Sequence, residues 1–321
     1  MKKSKLIPII AGCMIVIGLI LTAIGFALGA KFSIVTTNDG FKVIDFKDMR
    51  VESKDLSPFT SISADFRDAD VEIIPSNEYK IEIRSHKELK KEFTYKVTNN
   101  KLIIESKGSL KSNFGLFNLS FGGIPQTTIK VYVPKNTSFD NIDIVNDFGD
   151  IHLDGINSNS LQIKTQDGDL LINNIRTNSF EIKNNFGDID ANSITAKELT
   201  IKMNDGDLEF NSVKANSTAI TNRFGDISLS DFTSEGLNIQ SNDGDIEVQG
   251  LLLGTSEISS TFGDVDVQAS NKESELSYTI KSSFGDIMVN NNEFESNATH
   301  QVNSSHKLDI KAKDGDVSLQ F

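Results

Sequence analysis

The sequence predicts an all-β protein, a parallel β-solenoid (β-helix) built on 19-residue two-strand units that follow one N-terminal transmembrane helix. The first observation is a Gly-Asp pair that occurs nine times. Its glycines recur at one constant interval from Gly149 through Gly168 and Gly187 to Gly263, and two wider steps then lead to Gly285 and Gly315. The second is a set of apolar columns with the same interval, and the third is an uncharged stretch near the N-terminus. A fixed period is typical of repeat architectures, in which each unit buries its apolar face against its neighbours.

The N-terminal segment predicts a membrane anchor. Residues 1–5 form a cytoplasmic tail with Lys2, Lys3 and Lys5, and residues 6–30 contain no charged side chain. This uncharged run is long enough to span a bilayer, and the basic flank should keep the tail in the cytoplasm. We therefore expect a single-pass protein of the cell membrane, with its N-terminus cytoplasmic and its bulk extracytoplasmic.

Two other interpretations of the N-terminal segment stay open. A removed signal peptide is disfavoured, because the apolar run is too long and lacks a polar cleavage region. The sequence of residues 10–13 resembles the lipobox of bacterial lipoproteins, whose cysteine is acylated, but the residues after Cys13 remain apolar. Cys13 is the only cysteine, so no disulfide can form within the external part of the chain.

Residues 31–56 are predicted as a stalk and residues 57–135 as an N-terminal β cap, which contains several strand-like runs. Within this cap, residues 68–71 (Asp-Ala-Asp-Val) resemble the Gly-Asp corner with alanine in place of glycine, which indicates a degenerate first coil. Residues 107–125 form an excursion rich in Phe, Leu, Gly and Ser. It is expected to be a flap over the solenoid end or, alternatively, a tip that contacts a partner or the membrane.

Residues 136–321 are predicted as the solenoid of Gly-Asp repeats. Counting from each glycine, apolar residues recur two, four, seven, twelve and fourteen positions later, as in Ile189, Ala191, Ile194, Leu199 and Ile201 after Gly187. The pairs at +2/+4 and +12/+14 alternate with polar residues, the period-2 pattern of strands with one buried face. The Asn/Ser/Thr-rich residues between them are expected to be loops. No helical spacing of apolar residues survives in the repeats.

Each corner glycine is expected to adopt a positive φ that is costly for other residues. The aspartate that follows it is favoured as a turn residue whose carboxylate accepts backbone N–H bonds. The alternative is an acidic ladder that binds Ca²⁺, because stacked strands would place the carboxylates about 4.8 Å apart.

The residue before each glycine alternates between Phe and Asp from Phe148 to Phe262, which gives a 38-residue super-period. Two arrangements fit this alternation. Either one coil spans the whole 38-residue super-period, with Phe corners and Asp corners on separate edges, or one coil spans a single 19-residue unit and the two residue types alternate along one edge. Like charges stacked directly on each other would be destabilising, which the second arrangement avoids.

The last insertion, residues 290–307, is polar and rich in Asn and Ser. An open solenoid end exposes unpaired strand groups that invite another strand. Because the chain ends at Phe321 soon after the final corner, we expect no further cap domain and predict that this insertion folds back as a lid. The membrane-distal end would then be an interaction face.

Composition and motifs favour a surface module over an enzyme. No catalytic, cofactor-binding or metal-binding residue is predicted, and no cofactor is expected. His86, His152, His300 and His306 show no metal-ligand spacing, and the nucleophile-elbow, phosphate-loop and zinc-protease motifs are missing from the sequence. The net charge is −13, and −16 without the three cytoplasmic lysines, which excludes nucleic acid as a partner.

The chain resembles the bacterial putative-adhesin family of β-strand-repeat domains, a Gram-positive, membrane-anchored type of unknown function. The resemblance rests on the anchor, the Ala64-Asp65 and Ala69-to-Pro75 opening, the strand Val131–Pro134 and the Gly-Asp-Ile corners. It implies a β-solenoid on the outer face of the membrane that carries no transferable binding residues. The predicted function is a non-catalytic cell-surface structural or binding (adhesin-like) module, whose partner is a cell-envelope polymer or a surface protein. The alternatives are an accessory protein of envelope-stress regulation and, less favoured, a polysaccharide-active β-helix enzyme.

Overall fold

A computed structural model describes residues 6–27, 34–37, 40–43, 48–87, 92–107 and 126–321. The lysines of the cytoplasmic tail and residues 108–125 of the predicted flap lie outside these described residues. The chain divides into two compact units. The smaller one comprises Met1–Arg50, Ser85–Lys91 and Gly108–Pro125, and the larger one comprises Val51–Arg84, Glu92–Lys107 and Gln126–Phe321.

The smaller unit contains the helix α1 (Leu6–Ala27), which is formed by the uncharged N-terminal sequence. It also contains an antiparallel hairpin of β1 (Ile34–Thr37) and β2 (Gly40–Val43), within the segment predicted as a stalk. Cys13 is an exposed free thiol in α1. In α1 the structure describes the side chains of residues 10–25. Within the residues described in this way, no helix has the length and apolar character needed to cross a membrane.

The larger unit is formed almost entirely of strands, two of which (residues 49–55 and 80–86) each have two residues that are assigned to the smaller unit. In chain order they are β3 (Met49–Asp55), β4 (Ser61–Phe66), β5 (Asp70–Ser76), β6 (Lys80–His86), β7 (Glu92–Thr98), β8 (Lys101–Lys107), β9 (Thr128–Pro134), β10 (Ser138–Phe148), β11 (Ile151–Asp154), β12 (Asn157–Asp167), β13 (Leu170–Phe186), β14 (Ile189–Asp205), β15 (Leu208–Phe224), β16 (Ile227–Asp243), β17 (Ile246–Phe262), β18 (Val265–Ala269), β19 (Ser277–Phe284), β20 (Ile287–Val289), β21 (Asn292–Phe294), β22 (Asn297–His300), β23 (Lys307–Asp314) and β24 (Val317–Gln320). A short 3₁₀ turn, Glu273–Glu275, precedes β19.

Each central coil corresponds to one unit of the sequence repeat, which decides between the two arrangements that the sequence left open. Strands β13 and β14 pair in parallel with Leu170 opposite Ile189 and Ile182 opposite Ile201, and the same offset joins β14 to β15. The predicted β-solenoid with 19-residue units is therefore confirmed. Phe186 lies opposite Asp205, so Phe and Asp alternate along one edge.

Each coil contains three strand runs, where the sequence suggested two. The residues expected to form a loop pair in parallel with the next coil, as Ile175 does with Ile194 and Thr177 with Ala196. The physical reason is a second corner at the sixth position, where Asn174 and Ser193 have φ values of 57° and 60°. Short polar side chains tolerate this left-handed conformation. The turn restarts the alternation, so positions seven and nine also point inward.

The core is a stack of like residues along the solenoid axis. The clearest column stands five positions before each corner glycine, and every member is at most 1% exposed. Burying one such side chain is worth about 1.5–3 kcal/mol, so the column alone gives neighbouring coils a strong preference for this register. In spatial order its members are Ile144, Ile163, Ile182, Ile201, Ile220, Ile239, Ile258, Ile310 and Ile280.

The N-terminal end begins with the degenerate coil that the sequence indicated. Strands β4 and β5 pair in parallel with β10 and β11, and the amide of Ala69 donates to the carbonyl of Phe148 at 3.0 Å. Ala69 thus occupies the glycine position of a corner. Outside this coil lies the pair β8 and β9, and antiparallel strands β7 and β6 cover that pair in turn.

At the C-terminal end the spatial order of the last two coils is reversed relative to the sequence. Strand β23 pairs with β17 on one side and with β19 on the other, and β24 lies in the same way between β18 and β20. The corner of Gly315 therefore stands between those of Gly263 and Gly285. This exchange explains why the last two steps between corner glycines are wider than the others in the sequence.

Both ends of the solenoid are closed by antiparallel strands. At the C-terminal end, β21 pairs with β20 and β22 with β19, so the insertion folds back over the outermost coil as predicted. The N-terminal end mirrors this arrangement. The coil that is outermost in space, formed by β8 and β9, is the one that directly precedes the regular repeats in the sequence. In each case the antiparallel strands occupy the backbone edge that parallel stacking would leave unpaired.

Candidate binding surface at the glycine-aspartate corner

The corner glycines form a tight backbone column. Gly206 has a φ of 136°, and a Cβ atom at this position would overlap the carbonyl oxygen of Gly187 in the preceding coil. The other corner glycines meet the carbonyl of the neighbouring corner in the same way, and all but Gly285 have positive φ. The expectation of a left-handed corner is therefore confirmed for eight of the nine copies, and close stacking of the coils is a second reason for glycine.

The aspartates after these glycines, together with Asp70 after Ala69, form a continuous ladder, termed here the Asp ladder. In spatial order it consists of Asp70, Asp150, Asp169, Asp188, Asp207, Asp226, Asp245, Asp264, Asp316 and Asp286. At each step the Oδ1 atom of one aspartate accepts the backbone N–H of the next, over 2.8–3.2 Å. Such charge-assisted bonds to backbone amides offset the repulsion between stacked carboxylates. The carboxylates therefore accept backbone N–H groups as expected, but from the aspartate of the next coil and not from within their own turn. Because each step engages Oδ1 in this structural bond, the structural interpretation is favoured over a calcium ladder.

Asp70 lies at the N-terminal end of the Asp ladder. Burial raises the pKa of its carboxyl above the ordinary value of 3.8, and the nearby charges of Asp150 and Asp68 act in the same direction. The bond from the amide of Asp150 opposes this shift. The charged form of Asp70 is therefore less favourable in the folded chain than in water.

A buried asparagine supports alternate corners from the inside. The side-chain amide of Asn222 donates to the carbonyls of Gly206 and Gly225, at 3.0 Å each, and it is 1% exposed. Asn184 and Asn146 make the equivalent contacts two and four coils earlier. Each asparagine stands two residues before a Phe, so the 38-residue super-period contains a buried amide and an exposed aromatic ring.

The exposed rings and the intervening aspartates form one continuous column, termed here the Phe/Asp column. In spatial order it consists of Phe148, Asp167, Phe186, Asp205, Phe224, Asp243, Phe262, Asp314 and Phe284. The five phenylalanines are 54%, 49%, 37%, 44% and 70% exposed in the same order. The exchange of the last two coils preserves the alternation, because sequence order would stack Phe262 directly on Phe284.

Two cations lie over rings of this column. The guanidinium of Arg223 is 5.0 Å from the ring centroid of Phe224, and the ammonium of Lys313 is 5.7 Å from that of Phe262. Both are within the range of cation–π attraction. The rings of Phe148, Phe186 and Phe284 have no such contact within the described residues.

A family model matches residues 59–320, from the first core strand of the larger unit to the last. The chain belongs to the Toastrack DUF4097 family. This assignment confirms the resemblance to a repeat family of unknown function. No curated protein matches the chain.

Solved structures similar to this Toastrack chain include three bacterial proteins. A putative adhesin from Bacteroides fragilis is 12% identical, with a TM-score of 0.45, and the match covers 86% of this chain and 98% of that one. A putative lipid binding protein from Parabacteroides distasonis is 12% identical, with a TM-score of 0.46 and coverages of 85% and 97%. A putative cell adhesion protein from Clostridium sporogenes is 14% identical, with a TM-score of 0.28 and coverages of 85% and 99%.

Two concave parts of the surface formed by the described residues are open grooves. One, of about 410 Å³, follows the start of the Asp ladder and includes His152, Leu171 and Asp190. Another, of about 500 Å³, follows the second corner and is lined by small polar residues with Arg176 and Lys214. Each follows a repeated column of the solenoid, and neither resembles a pocket closed around a small substrate.

The histidines are placed separately in the described part of the chain. His86 is buried, His300 stacks on Tyr278 with a centroid separation of 5.3 Å, and Nδ1 of His306 accepts the amide of Gly254 at 3.0 Å. Among the described residues no group of three or more His, Cys, Asp or Glu side chains could hold a metal ion.

Proposed function

We propose that this Toastrack protein is a membrane-anchored extracytoplasmic β-solenoid that acts as a non-catalytic surface-binding module of the adhesin type. The observation that carries the proposal is the Phe/Asp column. Outside α1, eight large apolar side chains are exposed in the described residues, and five of them are the phenylalanines of this one column. Exposed apolar groups concentrated in one place, with polar groups between them, are characteristic of interaction surfaces.

The absence of catalysis is supported by how the acids are used. The carboxylates of the Asp ladder accept backbone N–H groups at every coil, so they repeat as structural groups and do not form an isolated acid–base pair. A catalytic pair would need two carboxyls in different environments with separated pKa values. The repetition favours a surface that binds an extended partner along its length.

The anchor is supported by the uncharged sequence of residues 6–30, of which α1 forms 22 residues, and by the lysines before it. We expect an epitope tag after Phe321 to be cut from intact, wall-stripped cells by added protease, while the mass of the full-length chain retains Met1 or Lys2. A mature N-terminus at a lipid-bearing Cys13 would contradict the uncleaved anchor.

The binding role is tested by co-sedimentation of the purified full chain, kept in detergent, with bacterial cell-envelope fragments from which the membrane has been removed. We expect the natural chain to sediment with the fragments, and a Phe148→Ser, Phe186→Ser, Phe284→Ser variant to stay in solution. The matched control is Leu171→Ser, which removes an exposed apolar side chain outside the column. Equal sedimentation of all three proteins would contradict the Phe/Asp column as the binding surface.

A further inference from the structure

The spacing of the Phe/Asp column is fixed by the backbone. Neighbouring coils are hydrogen-bonded parallel strands about 4.8 Å apart, so successive phenylalanines recur at about 9.6 Å. The first and the last of the five phenylalanines are eight coil steps apart, a distance of about 38 Å. A ligand that contacts more than one ring must therefore be extended and must itself repeat near this distance.

The alternation argues against a second copy of the chain as the occupant. If two columns met with Phe facing Phe, Asp205 and Asp243 would also face carboxylates of the other copy. If they were shifted by one coil, four of the five rings of each copy would face a carboxylate. Like charges placed opposite each other are destabilising, and burying an unpaired carboxylate against a ring costs more than the ring contact gains.

Charge excludes anionic polymers from the same surface. Each corner glycine is preceded by a residue of the Phe/Asp column and followed by an aspartate of the Asp ladder. Every pair of coils therefore presents three carboxylates and one ring along this edge. A phosphate- or sulfate-bearing chain would be repelled by such a row of like charges.

A continuous apolar ridge, such as the stripe of a helix, also fits poorly. It would contact Phe186 and Phe224 but would remove water from Asp205 between them without supplying a donor. Desolvating a carboxylate without a partner is costly. The partner must alternate between apolar patches and hydrogen-bond donors at the spacing of the coils.

A linear β-linked glycan of the chitin type has this pattern. The C–H face of a sugar ring packs against an aromatic face, and its hydroxyl groups donate hydrogen bonds to carboxylates. In such a chain each sugar is turned over relative to the last, so the same face recurs at every second sugar, a length close to that of two coils. The chain is also neutral, as the acidic edge requires.

We propose that the Phe/Asp column binds a linear, neutral β-linked glycan along the solenoid axis. Each exposed phenylalanine packs against every second sugar, and the intervening aspartates accept hydrogen bonds from hydroxyl groups. Phe148, Phe186 and Phe284 have the freer rings, whereas Arg223 and Lys313 lie over the rings of Phe224 and Phe262 and must move aside before a sugar packs there. This inference rests on the proposed binding function and names its ligand class.

The test is calorimetric titration of the purified full chain with soluble β-linked N-acetylglucosamine oligomers of increasing length. A dimer spans one ring and a hexamer spans three, so we expect affinity to rise steeply with length. Phe186→Ala should weaken hexamer binding by about tenfold, which is the scale of one aromatic contact. Leu171→Ala, an exposed apolar change in the same coil but outside the column, should leave binding unchanged.

Thermal unfolding of each variant checks the fold, and Phe284→Ala, at the most exposed ring, replaces Phe186→Ala if the latter is unstable. Absence of hexamer binding, or binding that does not depend on length or on the column phenylalanines, would overturn the glycan inference. If envelope fragments still bind through the column in that case, the proposed function survives and only the ligand class is wrong. If the fragments do not bind either, both fail. A Phe-dependent doubling of mass without sugar binding would instead assign the column to contact between copies.

Discussion

At the scale of single residues, the Gly-Asp corner requires glycine, because a side chain there would displace backbone atoms of the neighbouring coil. Gly206 combines a left-handed φ with a backbone contact to Gly187, whereas Gly236 has no positive φ, and a methyl group added there would have no neighbour closer than 3.8 Å. The same chemical change at these two positions therefore separates the corner requirement from the general effect of adding a methyl group.

We expect Gly206→Ala to lower the free energy of unfolding by about 1–3 kcal/mol, through backbone strain and displacement of the neighbouring coil. Gly236→Ala should be neutral or stabilising by up to about 1 kcal/mol, because it restricts the unfolded chain without strain in the folded one. Urea unfolding followed by circular dichroism measures both. Equal midpoints would show that the corner glycines are not constrained.

Asp70 offers a test of pH dependence at one residue. Its pKa is raised in the folded state, so the folded chain binds this proton more tightly than the unfolded chain, whose carboxyl titrates near 3.8. Stability therefore falls as the pH rises from 3.8 through the raised pKa of the folded state, and the penalty persists at higher pH.

Asp70→Asn should accordingly stabilise the protein at pH 7, since the amide oxygen still accepts the N–H of Asp150. The gain should shrink as the pH is lowered toward 3.8. Asp70→Ala, which removes the acceptor, is the control and should not reproduce the gain. Unfolding midpoints across this pH range give the comparison, and a gain for Asp70→Asn that grows on acidification would contradict the assigned direction.

At the scale of elements, the sequence was sufficient for the regular coils but not for the third run. The columns at Ile182 and Ile201 alternate cleanly with polar residues, so their strands were predictable. The Ile175 run is short and follows a corner that contains neither glycine nor proline, and this corner, at Asn174, becomes recognisable only through its φ of 57°. Polar residues there were equally consistent with a loop.

The alternation of Phe and Asp predicts how charge limits the coils. Phe186→Asp would place three carboxylates on adjacent coils, at positions 167, 186 and 205, without the amide bonds that offset this repulsion in the Asp ladder. We expect it to be less stable than the neutral, equally sized Phe186→Asn by about 0.5–1 kcal/mol at low salt. The difference should diminish at 1 M salt, where charges more than about 3 Å apart are screened. A difference that persists at high salt would have another origin.

The antiparallel lid predicts what keeps the C-terminal edge closed. Ala298 of β22 is 1% exposed and lies opposite Ile280, whereas its neighbour Asn297 is exposed. Ala298→Asp should release the lid and cause concentration-dependent oligomers through the uncovered strand edge. Asn297→Asp adds the same charge on the outer side and should stay monomeric. Sizing with light scattering distinguishes the two, and a monomeric Ala298→Asp protein at high concentration would mean that another contact closes this end.

At the scale of the whole molecule, the alternation of Phe and Asp encodes the spatial order of the coils more clearly than the spacing of the corner glycines does. Read along the sequence, Phe262 and Phe284 follow each other and Asp314 comes last, which breaks the alternation. Read in space, Asp314 stands between the two phenylalanines. The break in the alternation was thus a sign of the exchange that the sequence already contained. It could be interpreted only once the strand pairing showed which coils are neighbours in space.

The exchanged order makes a prediction that engineered cysteines can test, in a background where Cys13→Ser removes the natural thiol. Ser259 and Lys311 are opposite each other on adjacent coils, as are Lys311 and Lys281, whereas Ser259 and Lys281 are separated by the inserted coil. A disulfide bridges Cα atoms that are about 4.4–6.8 Å apart. Opposite residues on adjacent parallel strands have Cα atoms about 4.8 Å apart, within this range. Residues two coils apart are separated by about 9.6 Å, which is beyond it. Under mild oxidation we therefore expect intramolecular disulfides in the Ser259→Cys, Lys311→Cys and the Lys281→Cys, Lys311→Cys proteins, and none in the Ser259→Cys, Lys281→Cys protein. Non-reducing electrophoresis and peptide mass mapping report the pairs. A solenoid stacked in sequence order would instead bridge positions 259 and 281 and leave positions 259 and 311 reduced, because two coils would then separate that pair.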